Sequence, residues 1–321
     1  MIVVVSNREV KERAKDHNVF GDKPNKKGLD ELRLATAEFD ADTKDWKVDL
    51  LPEKTSDLQE GNPPSRQLFE KILKDIYEGK LNGDWVLFVH GFNQSFLDNL
   101  TKCKSIEELY GVNVLAFSWP SNQGGLKPNE YKKARAAAKG CSNAFDRMLE
   151  KLGFYLANRP FKSDCVIRVS LLAYSMGNYV VQKFVEDPVF CDETKIFDNI
   201  ILTQADVDVE KHASWVAMMD YGKRVYVTIN EDDSVLKWSD VVNPPRLGNT
   251  VRWLDARGVV YFNFTDGKSV GRTHGIFYKT AKKNDVIRQI FHNAITGKRA
   301  EKVEGIRFDE PTNTYELVEK E

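Results

Sequence analysis

Cysteine is scarce in this chain of 321 residues, which contains only Cys103, Cys141, Cys165 and Cys191. The four are scattered, and no two of them form the C-x-x-C pair that binds zinc or exchanges disulfides. Cys165 opens an apolar run in which a reduced, buried thiol fits well. We infer a reducing compartment and no zinc or other metal site.

An excess of charge of either sign is also lacking. Lys and Arg total 47 and Asp and Glu total 48, so the formal net charge is −1. No global field therefore favours a nucleic acid or an anionic membrane as partner. The sequence also has no Gly-rich phosphate loop and no nucleic-acid-binding module, so we expect no nucleic-acid partner and no cofactor.

Long hydrophobic runs are missing as well. Met1 begins the apolar stretch IVVV, but Ser6, Asn7 and Arg8 end it at once. This is well short of a signal-peptide core or of the roughly 20 residues of a membrane span. We therefore expect no membrane span and a cytoplasmic protein.

The composition is that of a protein with a large core. Hydrophobic residues make up 41% and charged residues 30% of the chain, which is ordinary for a globular protein. No repeat, low-complexity tract or linker divides it. We predict one α/β domain over residues 1–297, followed by a charged C-terminal tail over 298–321.

Apolar, β-branched runs recur along the chain with helix-like segments between them. Such alternation is typical of a parallel sheet covered by helices on both faces. Most runs are apolar at consecutive positions, as in buried strands. The predicted strands are 2–6, 84–90, 112–119, 165–174, 199–205, 224–229 and 259–264.

Helices are predicted at 65–80, at about 128–158 and at 176–186. Residues 32–40 and 45–52 flank the segment ADTK and are predicted to be two strands joined by a turn. That pair would be antiparallel. The predicted sheet is therefore mostly parallel, with an antiparallel pair near the N-terminus.

The stretch LLAYSMGNYV, residues 171–180, has the pattern of a nucleophilic serine. Ser175 follows a predicted strand and precedes a predicted helix. When a strand turns abruptly into a helix, the residues two positions before and after the serine come close together and must be small. Ala173 and Gly177 satisfy this requirement, so Ser175 is the candidate nucleophile.

An oxyanion hole is predicted from VLFVHGFNQSF, residues 86–96, where a strand ends in a glycine. The glycine lets the backbone bend so that a main-chain N–H can point at a substrate carbonyl. The predicted donors are the N–H groups of Phe92 and Met176. We interpret His90 as a structural histidine that holds this loop by hydrogen bonds.

A catalytic base must follow the serine in sequence, with an acid between them. Of the other histidines, two precede Ser175 and two lie in helix-like segments: His17, His90, His212 and His292. His274 lies in a Gly-containing loop after the last predicted strand, and we predict it to be the base.

Three aspartates follow predicted strands, where parallel sheets place their sites: Asp206, Asp232 and Asp233. Spacing alone does not choose among them. Asp206 follows predicted strand 199–205, which comes after the strand of the serine along the chain. Asp233 precedes Val235, Leu236 and Trp238, which can anchor the start of a helix and thereby direct the carboxylate.

The order of these residues resembles that of the α/β-hydrolase fold. More narrowly, the chain resembles a bacterial family known only as α/β hydrolases of unknown function. The resemblance spans residues 1 to about 295 and depends on seven segments in the same order: VVSNREV, FVHGFNQSF, LAFSWPS, AYSMGN, QADVD, NEDDSVLKWS and THGIFY.

The resemblance implies a triad of Ser175, Asp233 and His274. It leaves Asp206 as the alternative acid. The sequence departs from the pattern at two positions, where Tyr174 replaces a frequent histidine and Ala173 replaces the glycine of the general elbow motif. Neither change removes a catalytic group.

Two segments near the predicted site are possible cap insertions, 118–131 and 237–255. The second is rich in tryptophan and proline, which suggests either a stiff, partly apolar wall for an acyl or aryl group or simple packing of the loop on the domain.

The sequence as a whole predicts a serine hydrolase of carboxylic esters or thioesters, with a small-molecule acyl substrate and an acyl-enzyme on Ser175. Two other functions are compatible with the same sequence. One is a non-catalytic, hydrolase-like binding scaffold, and the other is an acyltransferase that uses the same triad.

Overall fold

The computed structural model describes residues 1–54, 62–125, 127–159, 166–219, 223–241 and 243–318. Cys165 lies outside the described residues. The same is true of Leu126 and Val242, one in each predicted cap segment.

The strands follow the predicted apolar runs closely. Their bounds are β1 Ile2–Ser6, β2 Arg8–Val10, β3 Phe20–Pro24, β4 Arg33–Asp40, β5 Asp45–Lys54, β6 Asp84–Val89, β7 Asn113–Ser118, β8 Arg168–Tyr174, β9 Asn199–Thr203, β10 Arg224–Ile229, β11 Val259–Asn263, β12 Ile306–Asp309 and β13 Thr314–Leu317.

The α-helices lie between the central strands and after them. Their bounds are α1 Pro64–Tyr77, α2 Phe96–Tyr110, α3 Lys127–Lys139, α4 Ser142–Ala157, α5 Gly177–Val185, α6 His212–Val216, α7 Ser234–Asp240 and α8 Asp285–Ile295. In the described part of the chain, none of them has both the length and the apolar character that crossing a bilayer requires.

One mixed sheet organises the domain, in the order β12-β13-β11-β10-β9-β8-β6-β7-β1-β4-β5. From β1 to β11 the neighbours are parallel, whereas β4 pairs antiparallel with both β1 and β5. The predicted α/β class, with a mostly parallel sheet and an antiparallel pair near the N-terminus, is confirmed. Because parallel strands end at the same edge, the loops after β6, β8, β9 and β10 meet there.

Both faces of the sheet are buried, which explains why its strands are apolar at consecutive positions. Along β6, Leu87 and Val89 face one core with α4 and α5, and Val86 and Phe88 face the other with α2 and α8. Each core excludes water from one side of the strands. The sheet is therefore a rigid support for the loops at its edge.

The single helix predicted over about 128–158 is wrong, since two helices, α3 and α4, occupy this range. The break falls at Gly140 and Cys141. A Cβ atom at Gly140 would lie 2.6 Å from Leu29 Cδ1, so a side chain there would have to displace the end of the Leu29 side chain. This contact comes from a distant segment, and helical periodicity alone does not reveal it.

The segment from residue 298, expected to be a charged tail, contributes β12 and β13 to the sheet. β13 pairs parallel with β11, and β12 pairs antiparallel with β13. The Tyr315 ring lies 5.7 Å from the ring of Phe262 and 5.2 Å from that of Phe308. The strands alternate apolar and charged residues because one side of this edge hairpin faces solvent.

Candidate active site

Ser175 occupies a strained turn between β8 and α5. Its φ is +54°, in the left-handed region that costs a non-glycine residue about 1–3 kcal/mol. Ala173 is fully buried, and a Cβ atom at Gly177 would lie 2.2 Å from the carbonyl oxygen of Val89. The small residues on either side of the serine therefore have a steric cause, which is the close approach of α5 to the end of β6.

Hydrogen bonds to the neighbouring strand hold this turn. The Ser175 N–H donates to the Thr203 carbonyl at 3.1 Å, and the Asp206 N–H donates to the Ser175 carbonyl at 3.2 Å. The Asn178 side chain donates to the carbonyls of Ala173 and Ser175, both at 3.0 Å. These bonds offset the backbone strain and leave the serine hydroxyl free to face the edge of the sheet.

The structure brings together the serine, the histidine and one of the three aspartates. His274 Nε2 lies 2.8 Å from Ser175 Oγ, and His274 Nδ1 lies 2.6 Å from Asp233 Oδ2. The Asp233 side chain is fully buried and that of His274 is 14% exposed. A base that contacts both a hydroxyl and a buried carboxylate has the geometry of a nucleophile-activating triad.

A second contact fixes the direction of the Asp233 carboxylate. Its Oδ1 accepts hydrogen bonds from the N–H groups of Val235 at 2.9 Å and Leu236 at 3.1 Å, and so caps α7. The other oxygen then points at His274. Asp232 is half exposed and accepts a hydrogen bond from Lys237 at 2.8 Å. Two adjacent aspartates thus have different roles because only one is the N-cap.

Asp206, the alternative acid, is buried beside the serine turn, but its carboxylate points elsewhere. Its Oδ2 accepts from the Tyr131 hydroxyl at 3.0 Å and its Oδ1 from the Ser239 hydroxyl at 2.7 Å. Arg246 Nε lies 3.6 Å from Oδ1. The geometry therefore favours Asp233 as the partner of His274.

The loop that carries His274 is tied to the end of β10. The side-chain amide of Asn230 donates to the carbonyls of Gly271 at 2.9 Å and Thr273 at 3.0 Å. The Tyr174 ring packs beside the imidazole, with centroids 5.1 Å apart. Backbone anchoring and ring packing together restrict the rotation of the imidazole. Tyr174, which replaces the histidine frequent in the family, thus contacts the His274 ring directly.

The loop after β6 passes directly over the serine. A Cβ atom at Gly91 would lie 2.7 Å from Ser175 Cβ, so only glycine fits. Within the described residues, the N–H groups of Phe92 and Met176 donate no hydrogen bond to another protein group. Two unpaired N–H groups beside a nucleophile can donate hydrogen bonds to an oxyanion and stabilise its charge.

His90 orients the peptide bond between Gly91 and Phe92. The Trp119 N–H lies 3.1 Å from His90 Nε2, which must therefore be the unprotonated acceptor, and the proton on Nδ1 donates to the Gly91 carbonyl at 2.9 Å. That peptide is trans, so its N–H, which belongs to Phe92, points away from the carbonyl. Anchoring the Gly91 carbonyl thus directs the Phe92 N–H.

A buried cation, Arg8, supports this arrangement. Its Nη2 donates to the Gln94 carbonyl at 2.7 Å and lies 3.4 Å from His90 Nε2, and its Nη1 donates to Asn122 Oδ1 at 2.9 Å. Burial and the adjacent guanidinium hold the pKa of His90 well below its usual range, so the ring stays neutral. We predicted no role for Arg8 from the sequence, although it lies in the segment VVSNREV that supports the family resemblance.

The two predicted cap segments meet next to the predicted oxyanion loop. The Tyr131 ring lies 5.5 Å from that of Phe92 and 5.8 Å from that of Trp238. Trp238 remains 42% exposed. Phe92, Tyr131 and Trp238 form an aromatic wall that can contact an apolar part of a substrate.

Among the described residues, a group with metal-binding side chains lies on the surface at Asp16, His17 and Asp45, with ligand atoms within 4.8 Å of one another. His17 Nδ1 is 3.1 Å from Asp45 Oδ1, and Asp16 accepts hydrogen bonds from Asn18. These contacts account for the group as ordinary surface polar interactions. It contributes no residue to the triad.

Comparison with known families gives one match, to the family described as alpha/beta hydrolase of unknown function (DUF900), over residues 66–269. The matched region includes Ser175, Asp233 and the predicted oxyanion loop, and it ends before His274. No curated protein and no solved structure matches the chain. The match covers more than half of the chain, so this protein belongs to that family of α/β hydrolases.

Proposed function

We propose that the protein is a serine hydrolase that cleaves carboxylic esters or thioesters through an acyl-enzyme on Ser175. The observation that carries the proposal is the continuous hydrogen-bonded chain from the buried Asp233 through His274 to Ser175 Oγ. Membership of an α/β-hydrolase family supports the hydrolase class.

In the first step, Ser175 Oγ forms a bond to the acyl carbon while its proton moves to His274 Nε2. The carbonyl electrons move to the oxygen, which becomes an oxyanion. When the carbonyl forms again, the bond to the leaving oxygen or sulfur breaks, and His274 gives the proton to that atom. Asp233 stabilises the imidazolium throughout but stays ionised.

Water then reverses the roles. His274 takes a proton from water as its oxygen attacks the acyl-enzyme, and a second oxyanion forms. The bond from the acyl carbon to Ser175 Oγ breaks, and Oγ recovers the proton from His274. The products are a carboxylic acid and the free enzyme. The N–H groups of Phe92 and Met176 would stabilise both oxyanions, each contributing about 10²- to 10³-fold in rate.

The proposal is tested by labelling with a fluorophosphonate and by turnover of a series of nitrophenyl esters of increasing acyl length. We expect one adduct, on Ser175, because the phosphonate reacts with an activated serine. We also expect turnover of at least part of the ester series. An adduct on another serine with Ser175 unmodified would contradict the enzymatic proposal.

Substitution of His90 tests the oxyanion loop. We expect His90→Phe to lower kcat by about 10²-fold with little change in KM. In the proposed mechanism the Phe92 N–H stabilises the transition state and not the bound substrate, and in the variant this N–H would lose its orientation. His90→Asn should recover part of this loss, since a side-chain amide can donate to the Gly91 carbonyl. The measurement is kcat and KM for one nitrophenyl ester, with thermal unfolding as the check on folding.

A role limited to folding predicts a different result for the same variants. In that case His90→Phe would lower the unfolding temperature while the folded fraction kept the parent kcat. An unchanged kcat in folded His90→Phe would therefore remove His90 from the positioning of the donor.

A further inference from the structure

A lysine pocket lies beside the candidate active site, between α2 and the segment that follows His274. Its cavity has a volume of about 400 Å³, which is within the range of small-molecule sites. The residues that line it are Asp98, Thr101, Lys102, Ser105, Tyr278, Lys279, Lys282 and Lys283. Four of these eight are lysines, in a chain whose overall charge is close to zero.

The protein offsets only part of the positive charge of this pocket, through Asp98. In the described ranges, none of the four ammonium groups forms an ion pair with a carboxylate. Asp98, the one acid of the lining, is committed to α2, where its Oδ2 accepts from the Ser95 N–H at 2.9 Å and from the Ser95 hydroxyl at 2.7 Å. The lining therefore has a net charge of three positive units to offer a ligand.

Two of the lysines are held by the same aromatic ring. Lys102 Nζ lies 5.4 Å and Lys279 Nζ 5.6 Å from the centroid of Tyr278. Burial lowers the pKa of Lys102; the charge of Asp98 opposes this shift, and the charge of Lys279 adds to it. Two like charges near one ring repel each other, and an anion bound between them would offset that repulsion. Lys279, Lys282 and Lys283 are exposed and Lys102 is half-buried, so a ligand can reach the ammonium groups from solvent.

The pocket is connected to the candidate active site on both sides. Lys102 donates to Gln94 Oε1, and Gln94 Nε2 donates to the Phe92 carbonyl at 3.3 Å, within the oxyanion loop. On the other side, the Tyr278 ring is 6.3 Å from the ring of Tyr174, which packs against His274. Gln94 thus separates the pocket from Phe92, and Tyr174 separates it from His274, so a substrate with groups at both places would have to be extended.

We propose that the lysine pocket binds a phosphate-class oxyanion carried by the ester or thioester substrate. The inference rests on the proposed function for the reaction itself, and it adds the chemical class of a second substrate group. Three or four ammonium donors around one cavity match the several oxygens and the double charge of a phosphate. The substrate would then place its acyl carbon at Ser175 and its phosphate among the lysines.

The first test does not depend on catalysis. Inorganic pyrophosphate is titrated by calorimetry into full-length Ser175→Ala and into the same chain with Lys279→Gln and Lys282→Gln added. We expect the added pair to weaken binding by about ten-fold or more, because it removes two charged hydrogen-bond donors to the anion. Lys298→Gln with Lys302→Gln is the control, since it removes the same charge from exposed positions outside the pocket.

The second test compares two nitrophenyl esters whose acyl chains end in a phosphate or in a hydroxyl. With Ser175 intact, we expect Lys279→Gln/Lys282→Gln to raise KM for the phosphorylated ester by about ten-fold. Its kcat and the kinetics of the neutral ester should stay close to the parent values. Pyrophosphate should compete with the phosphorylated ester.

Three results would overturn the inference. One is equal binding of pyrophosphate with and without the two lysines, and another is an equal loss in the Lys298 and Lys302 control. The third is binding of pyrophosphate without any preference for the phosphorylated ester, which would make the ligand a free anion. If neither ester is hydrolysed but pyrophosphate binding follows the lysines, the anion site stands and the proposed reaction fails.

Discussion

Ser175→Ala is expected to abolish ester hydrolysis and leave the fold intact. The proposed reaction forms its covalent bond to Ser175 Oγ, and no other described hydroxyl oxygen contacts His274 Nε2. Removing a triad nucleophile lowers turnover by about 10⁴-fold or more. The measurement is kcat for a nitrophenyl ester together with fluorophosphonate labelling. Alanine keeps the Cβ atom and removes only the hydroxyl, which bonds to the imidazole, so the stability should change little.

Ser214→Ala is the matched control, since Ser214 is an exposed serine whose hydroxyl donates to the Lys211 carbonyl at 2.7 Å. It should keep the parent activity and the parent labelling. If Ser175→Ala retained turnover within ten-fold of the parent, the activity would come from another group and the covalent mechanism would be wrong.

Asp233→Asn is expected to lower kcat by up to about 10⁴-fold. An asparagine amide has the same shape, but it no longer stabilises the imidazolium and can hold His274 in the wrong tautomer. The helix cap should largely survive, because asparagine caps a helix as well as aspartate does. We therefore expect a folded protein with a thermal unfolding temperature close to that of the parent and with collapsed turnover.

The two neighbouring candidates supply the controls for this prediction. Asp232→Asn should change turnover little, because Asp232 is half exposed and paired with Lys237. The decisive comparison is with Asp206→Asn, whose carboxylate is bonded to Tyr131 and Ser239. If folded Asp206→Asn lost activity while Asp233→Asn kept it, the acid would belong to the end of β9.

Local patterns in the sequence were sufficient to predict most of the fold. Strands β1, β6, β7, β8, β9, β10 and β11 were predicted within a few residues, because a strand buried on both faces is recognisable as an apolar run. The pattern failed at Gly140, which packs against Leu29, and at β12 and β13, whose pairing depends on β11. Both features arise from contacts between distant segments.

The residues of the candidate site likewise include some that the sequence predicted and some that only the structure identified. Residue type and order singled out Ser175, His274 and the Gly91 loop, because a sharp turn with small neighbours and an upstream glycine has a local signature. The triad and the oxyanion donors stay predictions until they are tested by substitution. Choosing among Asp206, Asp232 and Asp233 required the structure, because spacing does not say which carboxylate faces the imidazole.

The sequence by itself determined the α/β class and the small residues around Ser175, since both depend on the periodicity and size of neighbouring residues in the chain. Only the tertiary structure decided that Asp233 caps α7 and faces His274, and that Arg8 and His90 orient the Phe92 peptide. It alone gathered Lys102 with Lys279. The physical reason is that a hydrogen bond or a charge contact depends on distance and direction between atoms, and residues far apart in the chain acquire these only when the sheet and helices pack.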